Sequence, residues 1–378
     1  MKFADIPGHE SVKTALRNAV DAGRMPHAVM LSGPAGAGKM MLARALAQYL
    51  QCTDRHDGEP CGRCQNCRLN EELNHPDLHF IFPMVKNQQK KREMCADVIE
   101  EWREMLRRYP AMPEEQWLQL LNAGNSQPTI YVRDADEIVR ADAYPAYTSD
   151  RKIFMIWLPE RMQLPAANKL LKVIEEPSPG TQFILVSNND LQLLPTIFSR
   201  VQRFHVGRLE PEEIQQYIAR KYGLTPPDAI RLAHISEGSL IKADEFGAEE
   251  GENQKFLALY QEIMRAAYAK KVLRLKQLGD QAAAFGREKI RRFLDYMARM
   301  VRENFIYNLR MPALSAMTDE EARFSERFSP FINHGNVEDF MVETDRAKRD
   351  IERNANSKLV LFDYFLTMII LLHRKVKK

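Results

Sequence analysis

The sequence predicts a parallel α/β domain followed by a wholly helical region. Apolar runs at residues 28–32, 79–82, 153–158 and 183–187 are typical of buried strands. Helical patterns lie between them, notably at 166–176, where Pro177 ends the pattern. Past about residue 209 the strand signals cease and amphipathic stretches continue, notably at 289–309 and 359–372. A chain of 378 residues is too long for one ordinary core, which indicates two or three domains.

The composition is that of a globular protein and excludes few functions. The chain is 45% hydrophobic and 28% charged, with a formal net charge of +3, which neither requires nor excludes nucleic acid. The Lys-rich stretch 86–92 is interpreted as an exposed loop, with nucleic-acid contact as the alternative. No apolar run approaches the roughly 20 residues of a membrane span. The first nine residues also lack the apolar core of a signal peptide. We therefore expect a cytoplasmic protein.

The turn after the first predicted strand is rich in glycine and ends in a lysine. It reads Gly33-Pro34-Ala35-Gly36-Ala37-Gly38-Lys39. Glycines let backbone N–H groups curl around phosphate oxygens, and a lysine at the end approaches the β- and γ-phosphates. Apolar positions at helical spacing follow over 40–50, so the order is strand, Gly-rich turn and helix. We predict a phosphate-loop fold in which Gly33, Gly36, Gly38 and Lys39 are the nucleotide-binding residues.

Met40 departs from this pattern. The position after the lysine normally carries a Ser or Thr whose hydroxyl binds Mg²⁺. A thioether is a poor ligand for a hard cation. Two interpretations remain open: a loop that still binds ATP, and a loop that is now only a structural turn.

Four of the five cysteines lie close together in the sequence. Four thiolates can close a tetrahedral Zn²⁺ site, and such a closed site is structural because no coordination position stays open. Free thiols and an iron–sulfur cluster are the alternatives. The spacing of the cysteines does not match a ferredoxin pattern, which argues against the iron–sulfur cluster. His56 and His75 are possible extra ligands, and Cys95 lies outside the group. The predicted metal ligands are Cys52, Cys61, Cys64 and Cys67.

Several stretches together resemble the bacterial clamp-loader family, and within it the delta-prime subunits of DNA polymerase III. They are Pro26-His27-Ala28, the cysteine group, the run Ala-Ala-Asn-Lys-Leu-Leu-Lys-Val-Ile-Glu-Glu-Pro at 166–177, and Leu-Pro-Thr-Ile-Phe-Ser-Arg at 194–200. The resemblance covers most of residues 1–240. It implies an AAA+ α/β domain at 1–207 with a zinc module at 52–67, a helical lid at 208–250 and a helical collar at 251–378. Helical patterns at 211–222 and 227–236 fit the lid, and the Gly-rich stretch 247–253 is expected to be a linker.

The resemblance also implies that the ATPase chemistry is lost. The two acidic residues that hold Mg²⁺ and activate water in active relatives correspond to Trp157 and Leu158, which can do neither. Glu160 falls outside that pair and is set aside as a catalytic base. The sensor arginine corresponds to Ile241, although Lys242 beside it leaves the alignment open. We expect a component of the DNA polymerase holoenzyme without ATPase activity of its own.

Arg200 matches the Ser-Arg-Cys motif of clamp loaders, with Val201 in place of the cysteine. In that family the arginine enters the ATP site of a neighbouring subunit as a finger supplied in trans. The alternative is an ordinary salt-bridged arginine.

By resemblance, the partners are the gamma/tau and delta subunits of a five-membered loader that places the sliding clamp on primed DNA at the replisome. Two other functions stay open: an active gamma/tau-type ATPase, and a zinc-bearing nucleic-acid-binding protein on the same scaffold.

Overall fold

The computed structural model describes residues 1–87, 92–123, 126–309 and 317–374. The chain divides into two compact units, Met1–Ala248 and Glu249–Lys378, each with a hydrophobic core of its own. Within the described ranges, no helix combines the length and the apolar character needed to cross a bilayer. Residues 88–91 of the Lys-rich stretch lie outside the described residues, so the loop expected there stays a prediction.

A five-stranded parallel sheet forms the first unit, in the spatial order β2-β3-β4-β1-β5. The strands are β1 (Ala28–Ser32), β2 (Leu78–Ile81), β3 (Lys152–Trp157), β4 (Thr181–Ser187) and β5 (Gln202–His205). The three central strands β1, β3 and β4 are buried along their whole length, as the continuous apolar runs predicted. The first four strands confirm the predictions to within two residues. β5 was not predicted, because this edge strand is largely polar and exposed.

Helices cover the sheet and continue beyond it. In chain order they are α1 (Glu10–Asp21), α2 (Lys39–Gln51), α3 (Gln65–Glu71), α4 (Ile99–Arg108), α5 (Glu114–Leu121), α6 (Val132–Asp142), α7 (Leu164–Glu175), α8 (Pro195–Phe198), α9 (Pro211–Tyr222), α10 (Pro226–Ile235) and α11 (Leu240–Tyr268). The predicted helices at 40–50, 166–176, 211–222 and 227–236 are confirmed to within two residues by α2, α7, α9 and α10. α7 has a proline in its first turn, where no N–H is needed, and Pro177 follows its end.

The predicted linker at 247–253 is wrong, because α11 runs through it without a break. Ala and Glu, which make up most of this stretch, are good helix formers and outweigh the two glycines. Gly247 has a packing reason: a Cβ there would lie 2.7 Å from the ring of Tyr222. The glycine permits a close approach between α11 and α9.

The second unit is helical throughout its described residues. After α11 it contains α12 (Val272–Ala283), α13 (Arg287–Asn308), α14 (Asp319–Phe328), α15 (Val337–Glu352) and α16 (Ser357–Leu372). The predictions at 289–309 and 359–372 are confirmed by α13 and α16. α13 packs on α15 and α12 on α16, around buried side chains that include Phe293, Leu361 and Phe365. These apolar residues recur at helical spacing, which is why the sequence predicted helices here.

Candidate functional site

The phosphate loop connects β1 to α2 at the carboxyl edge of the sheet. Gly33, Gly36 and Gly38 have φ angles of 154°, 81° and 82°, a range that side chains rarely adopt. A Cβ on Gly33 would lie 2.0 Å from the carbonyl oxygen of Val206, and one on Gly36 would lie 2.2 Å from Ser239 Oγ. The loop therefore has the backbone form that its glycines predicted, and it is tightly packed from two sides.

Lys39 is buried at the start of α2, with 4% of its surface exposed. Its ammonium donates hydrogen bonds to the carbonyl oxygens of Gly33, at 2.8 Å, and Pro34. Burial lowers the pKa of Lys39 to about 8, and the nearby carboxylate of Glu160 opposes that shift. The structure thus brings Lys39 and the loop glycines together as predicted, with the ammonium bonded to the loop itself.

The segment after α10 closes over the loop. The Leu240 N–H donates to the carbonyl oxygen of Gly36 at 2.8 Å, and His9 Nε2 lies 2.8 Å from that of Ala37. Burial lowers the pKa of His9. Ile241 packs against the core of this unit, and Lys242 forms an ion pair with Glu237 at 2.5 Å. Among the described residues, the ammonium of Lys242 makes no hydrogen bond to the phosphate loop.

The residues at the metal and acid positions are buried in the apolar core. Met40 is 2% exposed, Trp157 2% and Leu158 1%. The ring of Trp157 lies 5.3 Å from that of Trp102 on α4, so the end of β3 packs against this helix. Apolar side chains in these places stabilise the fold and offer no ligand to Mg²⁺.

Glu160 lies closer to the loop than the sequence argument indicated. One of its carboxylate oxygens accepts hydrogen bonds from the N–H groups of Asn188, at 2.9 Å, and Asn189, at 3.1 Å. The other is buried without a hydrogen-bond partner among the described residues. Burial raises the pKa of Glu160. The only signal in the sequence was its place three residues after β3, at the edge where the loop also lies.

The four predicted metal ligands meet in space. The Sγ atoms of Cys52, Cys61, Cys64 and Cys67 all lie within 4.8 Å of one another, and those of Cys61 and Cys67 are 3.9 Å apart. A tetrahedral zinc site with Zn–S bonds of about 2.3 Å requires S–S edges of about 3.8 Å. All four cysteines are free of disulfides.

Backbone N–H groups point at the sulfurs of this cluster, as expected for thiolates. Cys61 N lies 3.3 Å from Cys52 Sγ, and Cys64 N lies 3.3 Å from Cys61 Sγ. His56 pairs with Asp54 at 2.7 Å, and His75 contacts Asn66 and the Asp77 N–H. Neither histidine belongs to the cluster, so the residues present fit a closed four-cysteine site.

Arg200 lies at the surface just after α8. Its Nε donates to a carboxylate oxygen of Glu175 at 2.7 Å, and its Nη1 donates to the carbonyl oxygen of Thr196 at 2.9 Å. The side chains of Arg200 and Glu175 are 32% and 54% exposed. An ion pair this exposed is weak, which leaves the guanidinium able to exchange partners.

The fold and the loop together define the class. A parallel sheet with a glycine-rich phosphate loop after a central strand, followed by helices that close over the loop, is a P-loop domain of the AAA+ type. A family model described as "DNA polymerase III, delta subunit" matches residues 8–210, more than half of the chain. The chain belongs to this clamp-loader family.

Curated relatives carry names from the same polymerase. The chain is 29% identical over 246 residues to the DNA polymerase III subunit tau of Escherichia coli, an alignment that covers 64% of this chain and 32% of that protein. It is 29% identical over 223 residues to the delta' subunit of Haemophilus influenzae (59% and 55%). It is 27% identical over 255 residues to the delta' subunit of Bacillus subtilis (66% and 63%). The chain thus spans less than two thirds of the length of these relatives.

Among solved structures, a DNA polymerase III gamma subunit-related protein from Thermotoga maritima aligns with a TM-score of 0.35 and 16% identity, covering 96% of this chain and 99% of that one.

Proposed function

We propose that the chain is a delta-prime-type subunit of the DNA polymerase III clamp loader, helping to load the sliding clamp on primed DNA. In this role it has no ATPase activity of its own and gives Arg200 to the ATP site of a neighbouring subunit. The observation that carries the proposal is a phosphate loop of the right backbone form whose magnesium and acid positions, Met40, Trp157 and Leu158, are core residues. Such a loop can support a fold without hydrolysing ATP.

The proposal extends to the organisation and partners of the chain. We assign an AAA+ domain at 1–207, a helical lid at 208–250 and a helical collar at 251–378 that assembles with gamma/tau and delta subunits. A structural Zn²⁺ held by the four cysteines stabilises the 52–67 module. The site of action is the replisome, in the cytoplasm at the nucleoid.

A second candidate, an active gamma/tau-type ATPase, has one observation in its favour. Glu160 has a buried carboxylate oxygen that accepts no hydrogen bond from any residue the structure describes, and its charge acts on Lys39. That oxygen could receive a metal ion or an attacking water if ATP were bound. Measurable ATP turnover by the isolated chain, abolished by Glu160→Gln, would establish this candidate.

The test is ATP hydrolysis by the loader reconstituted with wild-type chain, Arg200→Ala or Arg24→Ala, an exposed arginine elsewhere on the same unit. Removing an arginine finger costs about 10³–10⁵ in rate at the site it serves. We expect Arg200→Ala to abolish most of the DNA-stimulated turnover that depends on that site, Arg24→Ala to have no effect, and the isolated chain to be inactive. An assembly indifferent to Arg200→Ala would refute the finger.

A further inference from the structure

The second unit contains a cavity of about 520 Å³ between α11 and α14. Four aromatic residues form its apolar wall: Tyr268, Phe324, Phe328 and Phe331. Ring centroids are 4.7 Å apart for Tyr268 and Phe331, and 5.0 Å apart for the stacked pair Phe324 and Phe328. Since the rings support one another, the wall is formed before any ligand arrives. We call this cavity the aromatic pocket.

Three arginines surround the aromatic pocket: Arg265, Arg323 and Arg327. Arg323 and Arg327 are exposed and four residues apart on α14, so they project from one face. Neither guanidinium has an ion pair or hydrogen bond to any residue that the structure describes. Arg265 makes one long hydrogen bond, 3.5 Å, to Gln261. Glu326 is the single acidic residue of the lining, so the pocket carries an excess of positive charge.

The surroundings add to this charge. Lys270 and Lys271 are exposed in the turn between α11 and α12, directly after Tyr268. A concave apolar wall with three arginines in its lining is complementary to a ligand with an apolar centre and negatively charged flanks.

We propose that the aromatic pocket docks an acidic peptide segment of a partner protein. A large apolar side chain of that segment would enter between Tyr268 and Phe324, while flanking carboxylates bind Arg323 and Arg327. Guanidinium groups bind carboxylates through two parallel hydrogen bonds, and a buried aromatic or aliphatic anchor contributes most of the affinity of such contacts.

The ring geometry favours a peptide over single-stranded nucleic acid. Base stacking requires an open ring face. One face of Tyr268 is covered by the ring of His373, at a centroid distance of 5.4 Å and an interplanar angle of 15°, and one face of Phe324 is covered by Phe328. These two rings thus have at most one face left for stacking, and the concave wall is better suited to enclose one side chain than to provide a platform for successive bases.

The experiment measures binding of a fluorescein-labelled Asp-Glu-Asp-Phe-Asp-Glu peptide to the full-length chain by fluorescence anisotropy. We expect the double variant Arg323→Ala/Arg327→Ala to weaken binding at least tenfold. Arg353→Ala, an exposed arginine at the end of α15 and away from the pocket lining, is the matched control and should bind as wild type does. Replacing the Phe of the peptide with Ser should weaken binding at least tenfold as well.

Both substituted arginines are exposed, so the double variant should keep its fold, which its thermal unfolding verifies. Equal binding by wild type and the double variant would overturn the proposal. So would no binding by wild type, or an oligo(dT) strand that binds the pocket more tightly than the peptide and displaces it.

Discussion

Lys39 shows what the closed phosphate loop means for a single residue. Its ammonium is buried against loop carbonyl oxygens, and burial lowers its pKa from 10.5 to about 8. In the unfolded chain the same amine keeps its ordinary pKa. Between pH 8 and pH 10.5 the unfolded state therefore binds more protons than the folded state, and the free energy of unfolding rises with pH over this window.

We predict that this dependence disappears in Lys39→Met. Relative to the variant, the unfolding free energy of the wild type should rise by up to about 1.4 kcal/mol per pH unit from pH 8 to pH 10. Urea denaturation at several pH values measures it, and Lys172→Met, an exposed lysine of α7 on the same unit, should behave as the wild type does. Parallel curves for wild type and Lys39→Met would show that the buried ammonium is not the cause.

The positions of individual residues around the phosphate loop could be predicted from the sequence only in part. A side chain without metal-binding or acidic chemistry can be recognised from its type, so the sequence alone set Met40 and Trp157 aside as Mg²⁺ ligands. In the structure both are core residues. Glu160 could not be placed, because its position depends on how the chain turns after β3. That turn puts Leu158 at a φ of 51° and returns the carboxylate to the Asn188 and Asn189 amides.

At the scale of elements, the burial of a strand or helix decided whether the sequence revealed it. β1, β3 and β4 are covered on both faces and are therefore continuous apolar runs. β5 is an edge strand held by its pairing with β1. Backbone groups make this pairing, so it requires no particular side chains and the sequence pattern does not show it. The two glycines in α11 suggested a linker, because glycine is common in flexible segments. In the structure Gly247 permits close packing against Tyr222, and the sequence does not show which residue will be its neighbour.

Two helical glycines provide a direct test of that explanation. Gly247→Ala should lower the free energy of unfolding by about 1–3 kcal/mol, because the new Cβ would overlap the Tyr222 ring. Gly279→Ala on α12 is the matched control: its nearest atom, Phe362 N, would be at an ordinary 3.6 Å, so the better helix former should stabilise by about 0.5–1 kcal/mol. Equal effects of the two substitutions in urea denaturation would contradict the packing role of Gly247.

The cysteine spacing predicted a cluster, and the four thiols do meet in the structure, while the bound metal stays a prediction. We expect about one zinc per chain by elemental analysis, and expect metal removal with a chelator to lower Tm by about 5–10 °C as the 52–67 segment loses its cross-link. Cys61→Ser should lose the metal. Cys95→Ser should keep it, because Cys95 is buried elsewhere and donates to the Phe82 carbonyl oxygen. Zinc retained in Cys61→Ser, or absent from wild type, would refute the site.

For the whole molecule, charge distinguishes a subunit that meets DNA through an assembly from one that binds DNA by itself. Lys and Arg exceed Asp and Glu by 54 to 51 over the chain, so few phosphates can be neutralised without a concentrated basic face. Affinity that comes from phosphate contacts falls steeply as salt is added, because each contact releases about one counterion from the DNA.

We therefore predict that the isolated full-length chain binds primed DNA with a dissociation constant weaker than about 1 µM near physiological salt. Fluorescence anisotropy across a salt series measures both the affinity and its slope, with Cys61→Ser as the comparison. Nanomolar binding with a steep slope would contradict the delta-prime assignment. If that binding were lost in Cys61→Ser, the chain would be a zinc-dependent DNA-binding protein that uses the AAA+ fold as a scaffold.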